Sequence, residues 1–158
     1  MTLLLRFQNI IKEQHLFSAN DKLLLAVSGG IDSVVLSELC HQAGYDFAIA
    51  HCNFQLRDAD SERDEAFVRG LAGKYNVPFH VVKFETKAFA TARKISTQEA
   101  ARELRYNWFE ETRVAEGYQY TLTAHHADDN IETVLMNFFR GTGIKGIRGI
   151  ESKHGYMI

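Results

Sequence analysis

Short apolar runs alternate along the chain with longer segments in which apolar residues recur every three or four positions. A short apolar run predicts a buried β-strand, and the longer spacing predicts an amphipathic helix. Predicted strands cover 23–27, 47–51, 79–84 and 120–124, and predicted helices cover 3–15, 33–44, 61–75, 97–116 and 130–140. Strands that alternate with helices predict an α/β fold, with a doubly wound, mainly parallel sheet and helices on both faces.

The pattern also predicts where one helix begins and which side chains the helices bury. Ser96 and Glu99 form a capping box, so a helix begins directly after Ser96. The polar segment before it, through Lys87 and Thr91, is predicted as a connector. The residues predicted to face the core are Ala66, Phe67, Leu71 and Ala72 on the third helix, and Ala101, Leu104 and Trp108 on the helix after Ser96.

Composition is typical of a single globular domain. The 158 residues are 46% hydrophobic and 24% charged, and no apolar run reaches the roughly eighteen residues that a membrane span needs. Cys40 and Cys52 are far apart and lack metal-type spacing, which favours free thiols and a cytoplasmic location. The net charge of -2 argues against a domain that grips nucleic acid by bulk charge, so RNA contacts are expected from local basic clusters.

In a parallel sheet, ligands bind beyond the carboxyl ends of the strands, so the residues that follow each strand are the most informative. The first strand leads into six residues, Ser28, Gly29, Gly30, Ile31, Asp32 and Ser33. A glycine turn at a helix N-terminus forms an anion pocket, because free backbone N–H groups and the helix dipole point into it. A carboxylate such as Asp32 beside phosphates indicates a bridging divalent cation. The plainer alternative is a βα turn in which Ser or Asp caps the helix.

The fourth strand leads into a second polar cluster, with two imidazoles and three carboxylates within eight positions. Its members are His125, His126, Asp128, Asp129 and Glu132. Such groups are costly to bury, and three interpretations stay open: a transition-metal site, a Mg²⁺–phosphate site, or a helix cap with polar packing. A rim shared with Asp32 favours the second, since carboxylates from two adjacent strand ends can hold one Mg²⁺ over a triphosphate.

Basic residues cluster in two further places. Arg102, Arg105 and Tyr106 fall close together on the helix after Ser96, where arginines are either solvated or suited to phosphate recognition. Over 140–149, three cations interleave with four glycines. That segment suits a plain flexible loop, or a backbone that lies along a polynucleotide or a triphosphate.

Five blocks of sequence together resemble a known family. The string at 28–33, directly after an apolar strand, resembles the PP-loop of the ATP pyrophosphatase superfamily, whose members split ATP between the α and β phosphates. In the same order along the chain, five blocks resemble the N-terminal catalytic domain of the bacterial tRNA(Ile)-lysidine synthetase family. The blocks are Ser28-Gly-Gly-Ile-Asp-Ser33, His51-Cys-Asn-Phe-Gln-Leu-Arg57, Ala101-Arg-Glu-Leu-Arg-Tyr106, Ala124-His-His-Ala-Asp-Asp-Asn-Ile-Glu-Thr133 and Arg140-Gly-Thr-Gly-Ile-Lys-Gly-Ile-Arg-Gly149.

The resemblance implies an ATP-dependent ligase. In this family ATP adenylates O2 of the wobble cytidine in the CAU anticodon of tRNA(Ile), and the ε-amine of L-lysine displaces AMP to give lysidine. By this similarity, Ser28 to Ser33 would hold ATP, and Asp32 and Asp129 would serve Mg²⁺. The residues that match catalytic or substrate-binding positions are Asp32, Arg105, His125, Asp129 and Glu132. A homodimer stays open.

Two features depart from the family pattern. Phe54 stands where the family commonly has a second histidine, so no role is transferred to that side chain. Residues 155–158 read as the start of another strand, and members of the family continue into further domains that help to hold tRNA. We therefore expect 1–158 to be a PP-loop ATP-binding catalytic domain that is truncated before its last strand and before its C-terminal tRNA-binding domains. Alone, it is expected to be weakly active or inactive.

Two other functions stay open on the sequence. A PP-loop tRNA cytidine thiolase would typically need paired cysteines that carry sulfur, and Cys40 and Cys52 do not form such a pair. A non-catalytic nucleotide-binding module of the same fold would need the turn at 28–33 but not the cluster at 125–132.

Overall fold

The structure, a computed structural model, describes residues 2–124 and 155–158. Its strands form one parallel sheet in the order β3-β2-β1-β4. The strands are β1 (Lys22–Ala26), β2 (Asp46–Asn53), β3 (Phe79–Lys83) and β4 (Tyr120–Thr123). The helices are α1 (Leu3–Glu13), α2 (Ile31–Gln42), α3 (Ala59–Tyr75), α4 (Thr86–Arg93) and α5 (Thr97–Glu116).

Alternate side chains of the strands enter two separate cores, one on each face of the sheet. Leu23, Leu25 and Ile49 pack with buried side chains of α1, α2 and α3 on one face. Leu24 and Ala48 face the other side, where Phe109 of α5 covers them. The strands are continuous apolar runs because both faces of the sheet are buried. The predicted fold class, a parallel α/β sheet with helices on both faces, is confirmed.

The strand order brings three strand ends together at one edge of the sheet. Leu24 of β1 pairs in parallel register with Ala48 of β2 on one side and with Thr121 of β4 on the other. The carboxyl ends of β1, β2 and β4 therefore lie side by side. From β1 the chain adds β2 and β3 on one side and then crosses back to add β4 on the other side. In such sheets, ligands bind at the carboxyl ends of the two strands where this switch occurs, which here are β1 and β4.

The predicted connector before Ser96 is wrong, because the structure has a helix there. Helix α4 buries only Thr86 and Ala90, and it packs against α5. This helix of eight residues has Phe89 as its one large apolar residue, so it lacks the repeated apolar stripe that predicts helices from sequence. One of the two hydrogen bonds of the predicted capping box is confirmed, since the Glu99 backbone N–H donates to Ser96 Oγ at 3.1 Å.

The inner face predicted for α3 is partly wrong. Phe67 is 51% exposed and Ala66 is also exposed. The helix instead buries a stripe that includes a carboxylate, and its residues are Glu65, Val68, Leu71, Ala72 and Tyr75. On α5, Ala101 is buried as predicted, whereas Leu104 and Trp108 are only partly buried and Phe109 occupies the centre of the core.

The last residues of the chain extend the sheet beyond β4. Met157 forms a parallel bridge with Thr121, and the Thr121 backbone N–H donates to the Tyr156 carbonyl at 2.8 Å. This is the pairing expected of a strand that begins at 155–158, although the division into domains stays a prediction. The predicted helix at 130–140 lies outside the described residues. Within the described ranges, the structure has no helix with the length and apolar character of a membrane span.

Candidate functional site

The turn after β1 presents backbone to solvent at the start of α2. Gly29 has φ +96°, a conformation that side chains with a Cβ rarely adopt. Gly30 is the N-cap of α2 in an extended conformation, and no side chain caps the helix there. The first-turn N–H groups of α2 are therefore directed at the space above the turn, as an anion site requires.

Two serines hold this turn in place from below. Ser33 is fully buried and its Oγ donates to the Gly30 carbonyl at 2.8 Å, while Ser28 Oγ lies 3.4 Å from Ser33 Oγ. Ser37, one turn further along α2, is also fully buried and donates to the Ser33 carbonyl at 2.8 Å. The Ser33 hydroxyl therefore fixes the shape of the turn. This structural role could not be read from the sequence, which shows only that a serine is present.

Ile31 and Asp32 begin α2 and point away from the core. Ile31 is 78% exposed, so hydrophobic burial does not explain its position. Asp32 is partly buried in the first helical turn. A carboxylate is favourable there because it faces the positive end of the helix dipole, and it stands beside the space into which the N–H groups point.

A cavity of about 350 Å³ opens at the carboxyl ends of β1, β2 and β4. This volume lies within the range of roughly 300–1,000 Å³ that small-molecule sites occupy. Most of its wall is apolar, and it reaches the turn at Ser28. The lining residues are Ala26, Val27, Ser28, Ala50, Cys52, Phe54, Arg105, Tyr106, Phe109 and Thr123.

Among the described residues, Arg105 is the one charged residue in the wall of this cavity. Its guanidinium carbon lies 5.5 Å from the centre of the Phe54 ring and 5.8 Å from that of Tyr106. Within the part of the chain that the structure describes, the buried Nε–H of Arg105 has no hydrogen-bond acceptor. An unsatisfied guanidinium donor is costly inside a protein, so a bound ligand oxygen is its natural partner. Arg102 lies outside the cavity wall and is exposed.

A second depression, of about 430 Å³, lies on the other side of the same turn. Its walls combine the backbone of 28–30 with four charged side chains from the start of α3 and the loop before it, namely Arg57, Asp60, Arg63 and Asp64. These charges pair among themselves, with 3.1 Å between Arg57 and Asp64 and 3.5 Å between Arg63 and Asp60. The turn therefore has polar surroundings on one side and an apolar cavity on the other.

The loop after β2 is anchored by a polar network under α3. Asn53 is buried and its Nδ2 donates to Glu65 at 3.1 Å and to Glu62 at 3.2 Å. Lys83 of β3 contacts both carboxylates, and its hydrogen bond to Glu62 lowers the pKa of that carboxyl while raising the pKa of the lysine. The Asn53 side-chain oxygen accepts from the Gln55 backbone N–H at 3.0 Å, which holds the loop where it enters the cavity wall.

The structure brings together the predicted residues that it describes. Ser28 to Ser33 and Arg105 lie at one edge of the sheet, and the cavity reaches from Ser28 to Arg105. His125, Asp129 and Glu132 lie outside the described residues, so the predicted metal pair of Asp32 with Asp129 stays a prediction. Within 2–124 and 155–158, no three potential ligands gather into a metal site.

Sequence reasoning missed several members of the cavity wall. Cys52, Phe54 and Thr123 line it at the ends of β2 and β4. The rule that informative residues follow each strand pointed to 51–57 as a segment but not to individual side chains. His51 lies in that segment too, but it is buried, and its Nδ1 lies 2.7 Å from the Val27 carbonyl, which ties β2 to β1.

This fold and site define a class of protein, the parallel α/β domains with an anion-binding turn at the carboxyl edge of the sheet. The chain belongs to the PP-loop domain family, whose family model matches residues 2–158. Among solved structures, it is similar to NH3-dependent NAD synthetase from Campylobacter jejuni (TM-score 0.56, 18% identity, covering 85% of this chain and 57% of that one). It is also similar to NMN synthetase from Francisella tularensis (TM-score 0.58, 16% identity, 84% and 57%). At these identities the likeness shows the fold alone.

Sequence relatives are closer. The chain is 50% identical to the tRNA(Ile)-lysidine synthase of Bacteroides thetaiotaomicron over 94% of its length and 35% of the relative. It is 48% identical to that of Parabacteroides distasonis (94% and 34%) and 43% identical to that of Chlorobaculum tepidum (97% and 47%). The chain thus spans between a third and a half of the length of these curated relatives.

Proposed function

We propose that this chain is the ATP-binding catalytic domain of a tRNA(Ile)-lysidine synthase. The observation that carries the proposal is the 50% identity to a relative of that name over 94% of the chain. At the level of the site, the open glycine turn and the adjoining apolar cavity support it, since together they suit a nucleotide with a polyphosphate. The partners are tRNA(Ile) with a CAU anticodon and L-lysine, and the location is the cytoplasm.

ATP would occupy both parts of the site. Its phosphates would accept from the backbone N–H groups of Ile31 to Ser33, where no Cβ at Gly29 stands in the way. The Gly30 N–H is already used, since it donates to Ser28 Oγ at 3.2 Å. The nucleoside would enter the cavity, most of whose wall is apolar. The α-phosphate would then lie where turn and cavity meet, at Ser28.

The residues also fit Mg²⁺. Mg²⁺ binds proteins through one or two carboxylates and completes its shell with water and phosphate oxygens, so Asp32, in the first turn of α2, is a suitable donor. Asp129 would supply a second carboxylate from the end of β4, next to β1. When bound, the ion supplies positive charge that offsets charge developing on the phosphates.

The reaction would have two steps. O2 of the wobble cytidine attacks the α-phosphate, the bond to pyrophosphate breaks, and the ε-amine of lysine then attacks C2 as AMP leaves. Positioning provides most of the acceleration in such transfers. Arg105 would bind an oxygen of the reacting groups. His125, Asp129 and Glu132 would orient lysine or accept its proton.

The cysteines do not favour the thiolase alternative. Sulfur transfer needs a thiolate, and burial raises the pKa of Cys52 to about 12. Cys40 is fully buried in the core and burial raises its pKa as well. Both thiols stay protonated at neutral pH and behave as small apolar side chains.

A chimaera tests the proposal in a protein of full length. Residues of this chain replace the matching segment of the Bacteroides thetaiotaomicron relative, and incorporation of labelled lysine into tRNA(Ile) is measured with CAU and GAU anticodons. We expect ATP-dependent incorporation into the CAU tRNA only. A folded chimaera that binds ATP but incorporates no lysine would point to a non-catalytic module. Pyrophosphate release without lysine would indicate another donor.

A further inference from the structure

The guanidinium of Arg105 is held at the cavity by an aromatic stack. The Phe54 ring stacks on Phe84, with 5.7 Å between centroids and the rings inclined by 24°, and the Arg105 guanidinium lies 5.5 Å from the Phe54 centroid. We propose that Phe54 is a positioning residue, which fixes Arg105 so that its Nε–H is directed at a ligand oxygen. The identity of that ligand as ATP rests on the proposed function; the positioning itself does not.

Phe54 is itself held firmly enough for this role. Its carbonyl accepts from Thr86 Oγ1 at 2.8 Å, and Thr86 is almost fully buried at the start of α4. On the other side, the loop is fixed by the bond from the Gln55 backbone N–H to Asn53. With its backbone fixed and its ring stacked on Phe84, Phe54 offers a defined face, and a guanidinium attracted to that face loses most of its freedom.

An aromatic partner suits this task better than a carboxylate. A carboxylate would occupy two of the five guanidinium N–H groups, whereas a ring face attracts the cation and leaves its donors for the ligand. Other arginines of the structure pair with acids in the usual way, as Arg93 does with Glu103 at 3.1 Å. The Nε–H of Arg105 instead has no acceptor among the described residues.

The direct test is the ¹H–¹⁵N resonance of the Arg105 Nε–H in the intact chain. In Phe54→Leu we expect its order parameter to fall to the flexible range, below about 0.6, whereas Phe54→Tyr keeps the ring and retains the wild-type value. Phe89→Leu is the matched control, because Phe89 makes the same 5.5 Å contact with Arg93 and neither residue lines the cavity. An Arg105 resonance that is unchanged in Phe54→Leu, with the fold intact by thermal melting, would overturn the proposal.

A double-mutant cycle then separates positioning from direct contact. ATP affinity is measured for Phe54→Leu, Arg105→Lys and the combined variant. We expect Phe54→Leu to weaken binding roughly three- to tenfold, and to have little further effect once Arg105 is lysine. Equal losses with and without Arg105 would mean that Phe54 contacts the nucleotide itself, against the proposal. If wild type binds no ATP, the proposed function fails, while the resonance still decides the positioning role.

Discussion

Replacing Gly29 by alanine tests the phosphate turn most sharply. A Cβ at this position would lie 3.6 Å from Val68 Cγ2 and 3.7 Å from Asp64 Cβ, both ordinary contact distances. The added methyl group therefore fits, and the cost comes from the backbone, which holds φ at +96°. A non-glycine residue in such a region costs about 1–3 kcal/mol. Alanine recovers about 0.4–1 kcal/mol by restricting the unfolded chain, so we expect a net loss of about 1–2 kcal/mol.

The assay is urea denaturation together with an ATP titration. The matched control is Gly44→Ala, at φ +75° with open space around its Cβ, just after α2 at the end remote from the turn. Both variants should lose similar stability, but only Gly29→Ala should also weaken ATP binding, because relaxation of its strain moves the N–H groups. A Gly29→Ala protein with wild-type stability and affinity would refute the reasoning. So would equal losses of affinity in both variants.

Three further predictions concern other parts of the molecule. Asp32→Asn should weaken the binding of Mg·ATP, measured by calorimetry, but should not weaken the binding of ATP in the presence of excess chelator. Equal weakening with and without Mg²⁺ would contradict a metal role for Asp32. Arg113→Met should lower the free energy of unfolding by about 1–3 kcal/mol, since the buried guanidinium bonds two carbonyls and Glu110 at 2.6 Å; unaltered urea denaturation would disagree. The hydrogen bond from the Tyr75 hydroxyl holds the pKa of Glu38 below its ordinary value of 4.5. A carboxyl whose pKa is lowered by folding stabilises the fold above pH 4.5, and this stabilisation is lost as the pH falls through the lowered pKa. Tyr75→Phe should therefore lose less stability than wild type as the pH falls below 4.5, and identical acid sensitivity would exclude this account.

The order of the elements could be predicted because both sheet faces are buried. Each strand then appears as an apolar run, and the rule for parallel sheets locates the ligand edge without any coordinates. Ser28 to Ser33 were singled out in this way, whereas Arg105 was singled out by its place on the helix after Ser96 and by the family resemblance. Helix α4 could not be, since Thr86 and Ala90 give too weak an apolar pattern for a helix of eight residues.

The side-chain partners at the site could not be predicted either. Glu65 of helix α3 has the charge of a surface residue, yet it is buried, and it contacts Asn53 of β2 and Lys83 of β3. In the sequence, Phe54 is notable only because it stands where the related family commonly has a histidine. Its place beside Arg105 depends on where α5 crosses the sheet. Both cases depend on contacts between residues far apart in sequence, and neither periodicity nor strand order specifies such contacts.

The central claim is that one site, formed by the turn at 28–33 and the cavity beside it, binds ATP. A crystal structure of this chain with Mg²⁺ and a non-hydrolysable ATP analogue tests it directly. We expect the phosphates on the backbone N–H groups of Ile31 to Ser33, the nucleoside in the cavity, and an oxygen of the ligand bonded to Arg105 Nε. A nucleotide bound elsewhere, or no nucleotide at millimolar concentration, would contradict the account.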